Sequence, residues 1–466
     1  MQTKRLTLGF IALTLLACNY VTQLIAPPTS TPPQPTPSLT LSPAPDSTLT
    51  PTPLVPAHIP PQCANQPIAT VQPEVALAQP TLEAKPNPVI STQQQLKIFD
   101  QMVNDVEENY VYPDYNGIDW EALKTRYRAK VEAGLDTENF YLELQNMVFE
   151  LGDEHSAYLS PVEVEADQAE LNGENDYVGV GVYGQYNFEK QSFVVITTFP
   201  GSAAEYAGLQ AHDSIIEVDG LPITEELGNR LRGPECSVAI AKVQAPGEAP
   251  REVMMMRYRI SGAVPLDARL VNTADGSKIG YIFLPSFFDE TLPGQMEEAL
   301  NRFGQLDGLI LDLRLNGGGS STVAYPIMSF FTDGKLGDFV SRTDSRPLRI
   351  RANPVQNSQT VPLVVLVGDE TVSFAEIFAG VMKDSGRAKV VGQTSLGNVE
   401  LLLPYDYQDG SLMWLATETF KSAFSAETNW ERTGIIPDVE AHATWDSFIF
   451  ETDPAIAASL QLLGHQ

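Results

Sequence analysis

The sequence has few basic residues and few metal-ligand residues. Lysine and arginine together number 29 against 59 aspartates and glutamates, which gives a formal net charge of −30. Such a balance disfavours nucleic acid and anionic membrane surfaces as partners. Only three cysteines and five histidines are present, and nowhere do they show the spacing of a metal site. We therefore expect neither a metal nor another cofactor.

The N-terminal apolar run is too short to span a bilayer. It extends from Leu6 to Leu16, directly after Lys4 and Arg5, an order typical of a signal peptide. The following Ala17-Cys18 completes a stretch that resembles a bacterial lipobox, although Leu16 is larger than the residue that this pattern prefers. We predict a lipoprotein-type signal peptide over residues 1–18, with Cys18 as the lipidated first residue of the mature protein. An ordinary secretory signal is the alternative, and both place the protein outside the cytoplasm.

The stretch that follows, residues 19–90, is dominated by proline, threonine and serine in its first half. Such a composition buries too little apolar surface to fold, so we predict an extended tether. Cys63, near its end, and Cys236 are the two cysteines that remain after Cys18. In an oxidising compartment they can pair, but the sequence alone leaves this pairing open.

The remaining chain divides into three predicted segments, which together indicate an α/β protein. Residues 91–170 repeat apolar positions at three and four and are predicted to form a helical N-terminal cap. Residues 176–262 are rich in predicted β-strands. Residues 263–466 alternate strands and helices, and their apolar, β-branched runs are typical of buried strands.

The β-rich segment resembles a PDZ domain. A Gly-rich strand from Tyr177 to Tyr183, the sequence Ala207-Gly-Leu209 that ends a short helix, and the strand and turn from Ile215 to Gly220 follow in the order of that family. In PDZ domains the loop at the Gly-rich strand binds a peptide's C-terminal carboxylate, and the peptide adds to the sheet edge. The resemblance implies such a role for four residues: Val178, Gly179, Val180 and Gly181.

Two stretches of the third segment indicate chemistry. The first runs from Asp312 to Gly319 at the end of a buried strand, and its three glycines leave backbone N–H groups free to bind an oxyanion. In the second, Ser373 lies where the strand Val361 to Val367 gives way to a helix, so that a hydroxyl and free N–H groups come together. Taken alone, Ser373 is better explained as a helix N-cap than as a reactive residue.

Together, Asp-Leu-Arg-x-Asn-x-Gly-Gly, the preceding PDZ-like segment and Ser-x-Ala-Glu-Ile resemble the C-terminal processing, or tail-specific, serine peptidases. The resemblance covers residues from about 91 to 440. It implies a crotonase/Clp-like α/β core with Ser373 as the nucleophile. We expect the backbone N–H groups of Gly318 and Phe374 to form the oxyanion hole, with Gly319 as the substitute donor.

The sequence departs from that family at the general base. The family uses a lysine, whereas this chain has Asn398 at the matching position, and an amide cannot accept the serine proton. Lys383 lies about 15 Å along the helix from Ser373 at 1.5 Å per residue, and Lys389 matches no motif but is not excluded.

Relatives built around the tricorn core and the chlamydial secreted protease use Ser, His and Glu instead. This resemblance implies His155 in Gly152-Asp-Glu-His-Ser as the base. It also implies Glu431, before Gly-Ile-Ile-Pro-Asp438, as the residue that orients the base. Glu400 and Glu418 are rivals for the last role. A carboxylate beside the imidazole would fix its tautomer and stabilise the imidazolium.

The sequence therefore predicts an extracytoplasmic, membrane-tethered serine endopeptidase. Its substrates would be proteins or peptides with accessible C-terminal tails, recognised through the PDZ-like segment. The alternative is a catalytically inactive peptide-binding protein, in which loss of the lysine marks loss of activity.

Overall fold

The computed structural model describes residues 55–64, 69–70, 86–153, 155–165, 177–187, 190–224, 228–260, 264–425 and 429–465. The predicted signal peptide, Cys18 and most of the predicted tether lie outside these ranges. Strand β1 (Ala69–Thr70) pairs in parallel with Ser237 and Val238. Beside it, Cys63 forms a disulfide with Cys236, so the pairing that the sequence left open is present. Within the described ranges, no helix has the length and apolar character needed to cross a bilayer.

The described residues of the predicted cap include three longer helices and one short strand. Each helix begins at a side chain that accepts a backbone N–H of its first turn, namely Ser91, Asp119 and Asp136, which explains where the helices start. The apolar repeats place one face of each helix in a common core. The elements are α1 (Thr92–Asn109), α2 (Trp120–Glu132), α3 (Thr137–Phe149) and β2 (Ala157–Leu159).

The PDZ-like segment is a strand-rich unit with one short helix. Its elements are β3 (Tyr177–Gly179), β4 (Val182–Asn187), β5 (Ser192–Thr198), α4 (Ala203–Tyr206), β6 (Ser214–Val218), β7 (Leu221–Pro222), β8 (Ser237–Gln244), β9 (Arg251–Met256) and β10 (Tyr258–Ile260). The main sheet has the order β1-β8-β6-β5-β4, with β7 beside β6 and β9 beside β8. Strand β3 pairs separately with β10.

The predicted strand from Tyr177 to Tyr183 is in fact divided into β3 and β4. Gly181 has a φ of 81°, a left-handed conformation that interrupts the extended backbone. A Cβ at this position would lie 2.2 Å from the Cβ of Ser202, so only glycine fits. The break leaves β4 at one end of the main sheet.

The third segment contains a parallel sheet and an antiparallel sheet. Its elements are β11 (Asp267–Asn272), β12 (Lys278–Phe283), α5 (Leu292–Phe303), β13 (Gly308–Asp312), α6 (Ser321–Ser329), β14 (Gly334–Val340), β15 (Ser345–Ile350), β16 (Leu363–Val367), α7 (Phe374–Asp384), β17 (Lys389–Gly392), β18 (Leu401–Asp406), β19 (Leu412–Ser422), α8 (Trp430–Thr433), β20 (Val439–Glu440) and α9 (Pro454–Leu462). The predicted alternation of strands and helices is confirmed, whereas the hairpin β14–β15 was not predicted.

The order of the parallel sheet determines where the site forms. The sheet runs β11-β12-β13-β16-β17-β20, and only β11 is antiparallel to its neighbour. Every residue of β13 and β16 is buried, as the apolar runs predicted. Because these strands are adjacent and parallel, the loop after Asp312 and the turn before Ser373 emerge at the same edge.

The cap is joined to the third segment by a shared sheet and a shared core. The antiparallel sheet has the order β15-β14-β19-β18, and β2 of the cap extends it by pairing with β19. The buried side chains of the three cap helices pack against residues in and beside β19: Tyr407, Met413, Leu415 and Ala416. The loop between α3 and β2, which carries His155, is therefore held against the segment that carries Ser373.

Candidate active site

Ser373 occupies a strained turn between β16 and α7. Its φ of 58° and ψ of −124° lie in a region that residues other than glycine rarely adopt. Such a conformation costs on the order of 1–3 kcal/mol and persists only where the surroundings impose it, which is typical of functional sites. The Ser373 N–H donates to the Asn398 carbonyl oxygen (2.9 Å) and to Glu376 Oε2 (3.2 Å). The side chain stays half-buried and accessible.

The glycine-rich loop after β13 lies directly against this serine. A Cβ built on Gly318 would be 2.7 Å from the Cβ of Ser373 and 3.2 Å from its Oγ, so the close approach requires glycine. Asn316 holds the loop in place, since its Oδ1 accepts the Gly318 N–H (2.9 Å) and its carbonyl oxygen accepts the Val372 N–H (3.0 Å). The predicted convergence of the two stretches is therefore present.

The predicted oxyanion donors differ in availability. The Gly318 N–H is engaged by Asn316 Oδ1. In the part of the chain that the structure describes, the N–H groups of Phe374 and Gly319 have no hydrogen-bond acceptor. These two groups are free to bind an oxyanion, which makes Gly319 the better candidate of the two glycines.

The charged residues of the Asp-Leu-Arg motif form buried ion pairs that stabilise the fold. Arg314 donates to Asp312 Oδ2 (2.6 Å) and to Asp453 Oδ2 (2.7 Å), and all three side chains are buried or nearly so. Asp453 also caps α9. The ion pairs therefore tie the end of β13 to the C-terminal helix and do not contact Ser373.

Glu376 is a site residue that the sequence analysis treated only as a motif landmark. The fully buried carboxylate accepts hydrogen bonds from Ser395 Oγ (2.6 Å), the Gly397 N–H (2.7 Å), the Asn398 N–H (2.8 Å) and the Ser373 N–H. Burial raises the pKa of Glu376, and these four donors oppose that shift. Its position three residues after a helix-capping serine was the available signal.

His155 lies in a loop that is fastened to the antiparallel sheet. Asp153 Oδ1 accepts the His155 N–H (3.0 Å), and Asp153 Oδ2 accepts the Ser156 hydroxyl (2.6 Å). The Ser156 oxygen in turn accepts the Ala416 N–H (3.0 Å) of β19. Burial lowers the pKa of His155 from 6.5 to about 3, because desolvation disfavours the imidazolium. The ring is therefore neutral near pH 7, the form that can accept a proton.

The carboxylate next to His155 is Glu400. Its Oε2 lies 3.5 Å from His155 Nδ1, and its Oε1 accepts the hydroxyl of Tyr112. Glu431 adjoins Glu400 and accepts the Val399 N–H at Oε2 (2.7 Å). Burial and the adjacent Glu400 raise the pKa of Glu431 to about 10. The sequence named Glu400 only as a rival of Glu431, and it gave no signal for Tyr112.

Ser373 and His155 are not joined by a hydrogen bond in the described parts of the chain. The segment between β17 and β18 contacts both residues. Its Asn398 accepts the Ser373 N–H at the backbone carbonyl oxygen, and Glu400, two residues later, lies beside His155. Catalytic hydrogen bonds are often absent before substrate binds and form in the complex. The geometry brings the predicted nucleophile and base to the same region without closing the contact.

A cavity of about 570 Å³ lies between the cap and the third segment, next to Asn398 and Glu400. Its walls are mainly polar, and they come from the α1–α2 and α3–β2 connections on one side and the 396–400 and 431–432 stretches on the other. The lining residues include Tyr112, Asp114, Asp153, Asn398, Glu400, Glu431 and Arg432. The cavity therefore borders both glutamates, of which Glu431 is the more exposed.

Neither candidate lysine reaches the serine. Lys383 Nζ donates to the Ile436 carbonyl oxygen, and Lys389, which is largely exposed, lies 3.7 Å from Asp438 Oδ1 at the start of β17. Ser373 follows the opposite end of the parallel strands. At the family's lysine position, Asn398 is 3% exposed, and its Oδ1 and Nδ2 both lack a hydrogen-bond partner among the described residues.

The other four histidines make contacts elsewhere. His212 Nδ1 lies 2.5 Å from the carbonyl oxygen of Trp445, and His58 stacks on Tyr206. His442 is exposed beside Glu440, and His465 contacts Asp275. In the described ranges, no cluster of three or more histidine, cysteine, aspartate or glutamate side chains has the arrangement of a metal site.

The predicted peptide-binding loop of the PDZ-like segment is largely bonded internally. Val178 and Gly179 pair with β10. The Val180 N–H donates to the Leu231 carbonyl oxygen (3.1 Å). The open edge of the main sheet is β4, where Gln185 donates to Glu370 in the turn before Ser373.

Comparisons with known proteins match each of the three segments. Residues 278–441 match the model of peptidase family S41, residues 92–149 the tricorn protease C1 domain, and residues 168–226 the PDZ domain. The carboxyl-terminal-processing protease of Synechocystis sp. is 29% identical over 389 residues, which are 81% of this chain and 88% of that protein. The carboxyl-terminal-processing protease of Picosynechococcus sp. is 28% identical over 342 residues, 72% of this chain and 80% of that protein.

A solved structure matches over a similar range. The photosystem II D1 C-terminal processing protease aligns with a TM-score of 0.54 and 26% identity, covering 80% of this chain and 97% of that one. The matches confirm the family resemblance inferred from the motifs. They also confirm the predicted fold class, a helical cap and a PDZ domain preceding an α/β peptidase core.

Proposed function

Because the chain carries a peptidase family S41 domain together with a PDZ domain, we propose that it is a serine endopeptidase that recognises protein C-terminal tails. The relatives bear the name carboxyl-terminal-processing protease, which supports the substrate class. The single observation that carries the proposal is the geometry at Ser373. A strained, accessible serine lies against a glycine loop and beside two unengaged backbone N–H groups.

The proposed mechanism uses serine and histidine. Ser373 Oγ attacks the scissile carbonyl carbon while His155 accepts the hydroxyl proton and later donates it to the leaving amine. The N–H groups of Phe374 and Gly319 stabilise the oxyanion of the tetrahedral intermediate. A carboxylate behind His155 stabilises the imidazolium; Glu431 is the residue that the family resemblance nominates. Water then hydrolyses the acyl-enzyme by the same steps.

The PDZ domain is proposed to bind the substrate tail, through the loop Val178 to Gly181 and the edge strand β4. A peptide that adds to β4 would run beside Gln185, whose contact with Glu370 adjoins the turn that carries Ser373. The proposed tail-binding strand, β4, is thus linked by the Gln185–Glu370 hydrogen bond to the turn that carries Ser373.

The proposed location is the outer face of a cell membrane. The signal-like N-terminus and the lipobox-like stretch support lipidation at Cys18, and a Cys63–Cys236 disulfide is typical of an oxidising compartment. Metabolic labelling with a fatty acid tests the anchor: a Cys18→Ala variant is expected to lose the label and to be released from membranes.

The catalytic proposal is tested with the purified protein from residue 55 onwards and an unstructured protein substrate. Wild type is expected to degrade the substrate and to react with a fluorophosphonate probe, whereas Ser373→Ala is expected to do neither. His155→Ala is expected to lower kcat/KM by roughly 10³-fold, the usual contribution of a general base. Tail binding by wild type without turnover or labelling would favour the alternative, an inactive peptide-binding protein.

A further inference from the structure

Two neighbouring glutamates lie at this site, Glu400 buried and Glu431 half-buried. Glu400 is 3% exposed and presents Oε2 to His155 Nδ1 at 3.5 Å, while its Oε1 accepts the Tyr112 hydroxyl. Glu431 adjoins Glu400, and its Oε2 accepts the Val399 N–H. Glu400 is therefore the carboxylate in contact with the ring, and Glu431 is in contact with Glu400.

Two carboxylates this close in a buried site do not both ionise, because their like charges repel where water screens them poorly. The charged and titratable groups that face the pair are His155, Tyr112, Asp153 and Glu376, with Asp114 and Arg432 on the cavity wall. Arg432 is the one cation of this set. The surroundings therefore favour a single negative charge on the pair, with one proton retained.

We propose that Glu400 is the carboxylate that positions His155, and that Glu431 acts on it as a neutral hydrogen-bond donor, the two sharing one proton. The proposal rests on the proposed function, in which His155 is the general base. Glu431 is the residue of the two in which the proton resides, since Glu400 already accepts the Tyr112 hydroxyl and faces the ring, and both contacts favour its ionised form.

The arrangement gives each glutamate a different task. Glu400 holds the His155 Nδ1–H, which directs Nε2 towards Ser373 and stabilises the imidazolium during the reaction. Glu431 keeps the carboxylate of Glu400 in place without adding a second charge. The adjoining cavity of about 570 Å³ allows the shared proton to exchange with solvent.

Isosteric variants distinguish the roles of the two glutamates. Glu400→Gln removes the charge beside His155, and kcat is expected to fall roughly 10³-fold with KM little changed. Glu431→Gln keeps a neutral hydrogen-bond donor beside Glu400 but weakens the hydrogen bond, and kcat is expected to fall about tenfold, far less than in Glu400→Gln. Glu418→Gln is the control, because Glu418 pairs with Arg346 away from the site and should leave kcat unchanged.

The pH profile adds a readout that a merely structural role would not move. Wild-type kcat is expected to fall at low pH as the pair takes up its second proton and His155 loses its negative neighbour. Glu431 is already neutral when the pair takes up its second proton, and Gln also presents a neutral donor to Glu400, so that limb should stay close to its wild-type position in Glu431→Gln and be absent in Glu400→Gln. A collapse of kcat in Glu431→Gln together with normal turnover in Glu400→Gln would overturn the proposal in favour of direct contact with Glu431.

A measurement on inactive protein keeps this test independent of the proposed function. In Ser373→Ala protein with isotope-labelled histidine, the imidazole nitrogen resonances of His155 are assigned by their absence in His155→Gln and compared at pH 7, where they report which ring nitrogen carries the proton. Glu400→Gln is expected to shift these resonances because the Nδ1–H loses its acceptor, and Glu431→Gln to shift them little. Equal shifts in both variants, or none in Glu400→Gln, would reject the assignment even if the enzyme proves active through Ser373 and His155.

Discussion

The two sides of the candidate site, the nucleophile side around the proposed nucleophile Ser373 and the base side around the proposed base His155, are held in different ways. Around Ser373, hydrogen bonds are nearly complete, since Glu376 accepts four of them and Asn316 ties the glycine loop to the same turn. Beside His155, two buried polar atoms of the described residues lack a hydrogen-bond partner, His155 Nδ1 and Glu400 Oε2. Both side-chain atoms of Asn398, in the segment that joins the two sides, are also unpaired among the described residues.

The difference shows which side of the site has its hydrogen bonds formed before substrate binds. An unpaired buried polar group costs about 1–3 kcal/mol, so the base side carries a stability cost that the nucleophile side does not. Such a cost is typical of residues that acquire their partners during the reaction. We therefore expect substitutions on the nucleophile side to lower stability, and comparable substitutions on the base side to leave or raise it.

The largest expected effect is that of Glu376→Gln. The amide replaces a buried acceptor of four hydrogen bonds with a group that also presents donors to the same N–H groups, so the free energy of unfolding should fall by about 3 kcal/mol. Thermal unfolding followed by calorimetry measures the loss. Glu418→Gln breaks only a partly exposed pair with Arg346 and should cost no more than about 1 kcal/mol. Equal losses in the two variants would mean that the buried acceptor of four hydrogen bonds contributes no more to stability than a partly exposed ion pair.

The next effect appears at acid pH. Because burial lowers the pKa of His155 from 6.5 to about 3, the unfolded chain takes up the proton first as pH falls. The stability that depends on the neutral ring is present above pH 6.5 and is lost as pH falls towards 3. Against a His155→Gln reference, wild type should lose about 2 kcal/mol between pH 7 and pH 5. His442→Gln serves as the control, since His442 is exposed, and it should show the same acid slope as wild type.

The smallest effect, and of opposite sign, is expected for Asn398→Leu. Leucine has a similar shape and removes two unpaired buried atoms, so the free energy of unfolding should rise by about 1 kcal/mol. The matched variant Asn316→Leu should lower it, because the Asn316 side chain donates to Leu284 and accepts from Gly318. Chemical denaturation of the two variants side by side decides the point. Destabilisation of similar size in both would mean that the base side is as fully bonded as the nucleophile side.

Much of this architecture was predictable because its signals are local. The buried strand before Ser373, the helix after it and the glycine loop at Gly318 depend on runs of neighbouring residues, and the structure has them as predicted. The motif order likewise predicted the PDZ domain and the peptidase core, which the comparisons confirm.

The contacts that complete the base side were not predictable in this way. Tyr112 meets Glu400 across 288 residues of sequence, and β2 joins β19 from the far end of the chain. No local pattern records which of several glutamates such long-range packing brings to His155. The engagement of the Gly318 N–H was missed for a related reason, since it depends on the rotamer of Asn316 and not on the glycines themselves.

The disulfide between Cys63 and Cys236 closes a covalent ring of chain that contains the whole helical cap and much of the PDZ domain. His155 lies inside this ring, whereas Ser373 lies outside it. A single backbone cut at any point between the two cysteines therefore leaves both fragments attached to the peptidase core. After such a cut, His155 and Ser373 therefore stay on one covalently linked molecule, and reduction of the disulfide would remove that link.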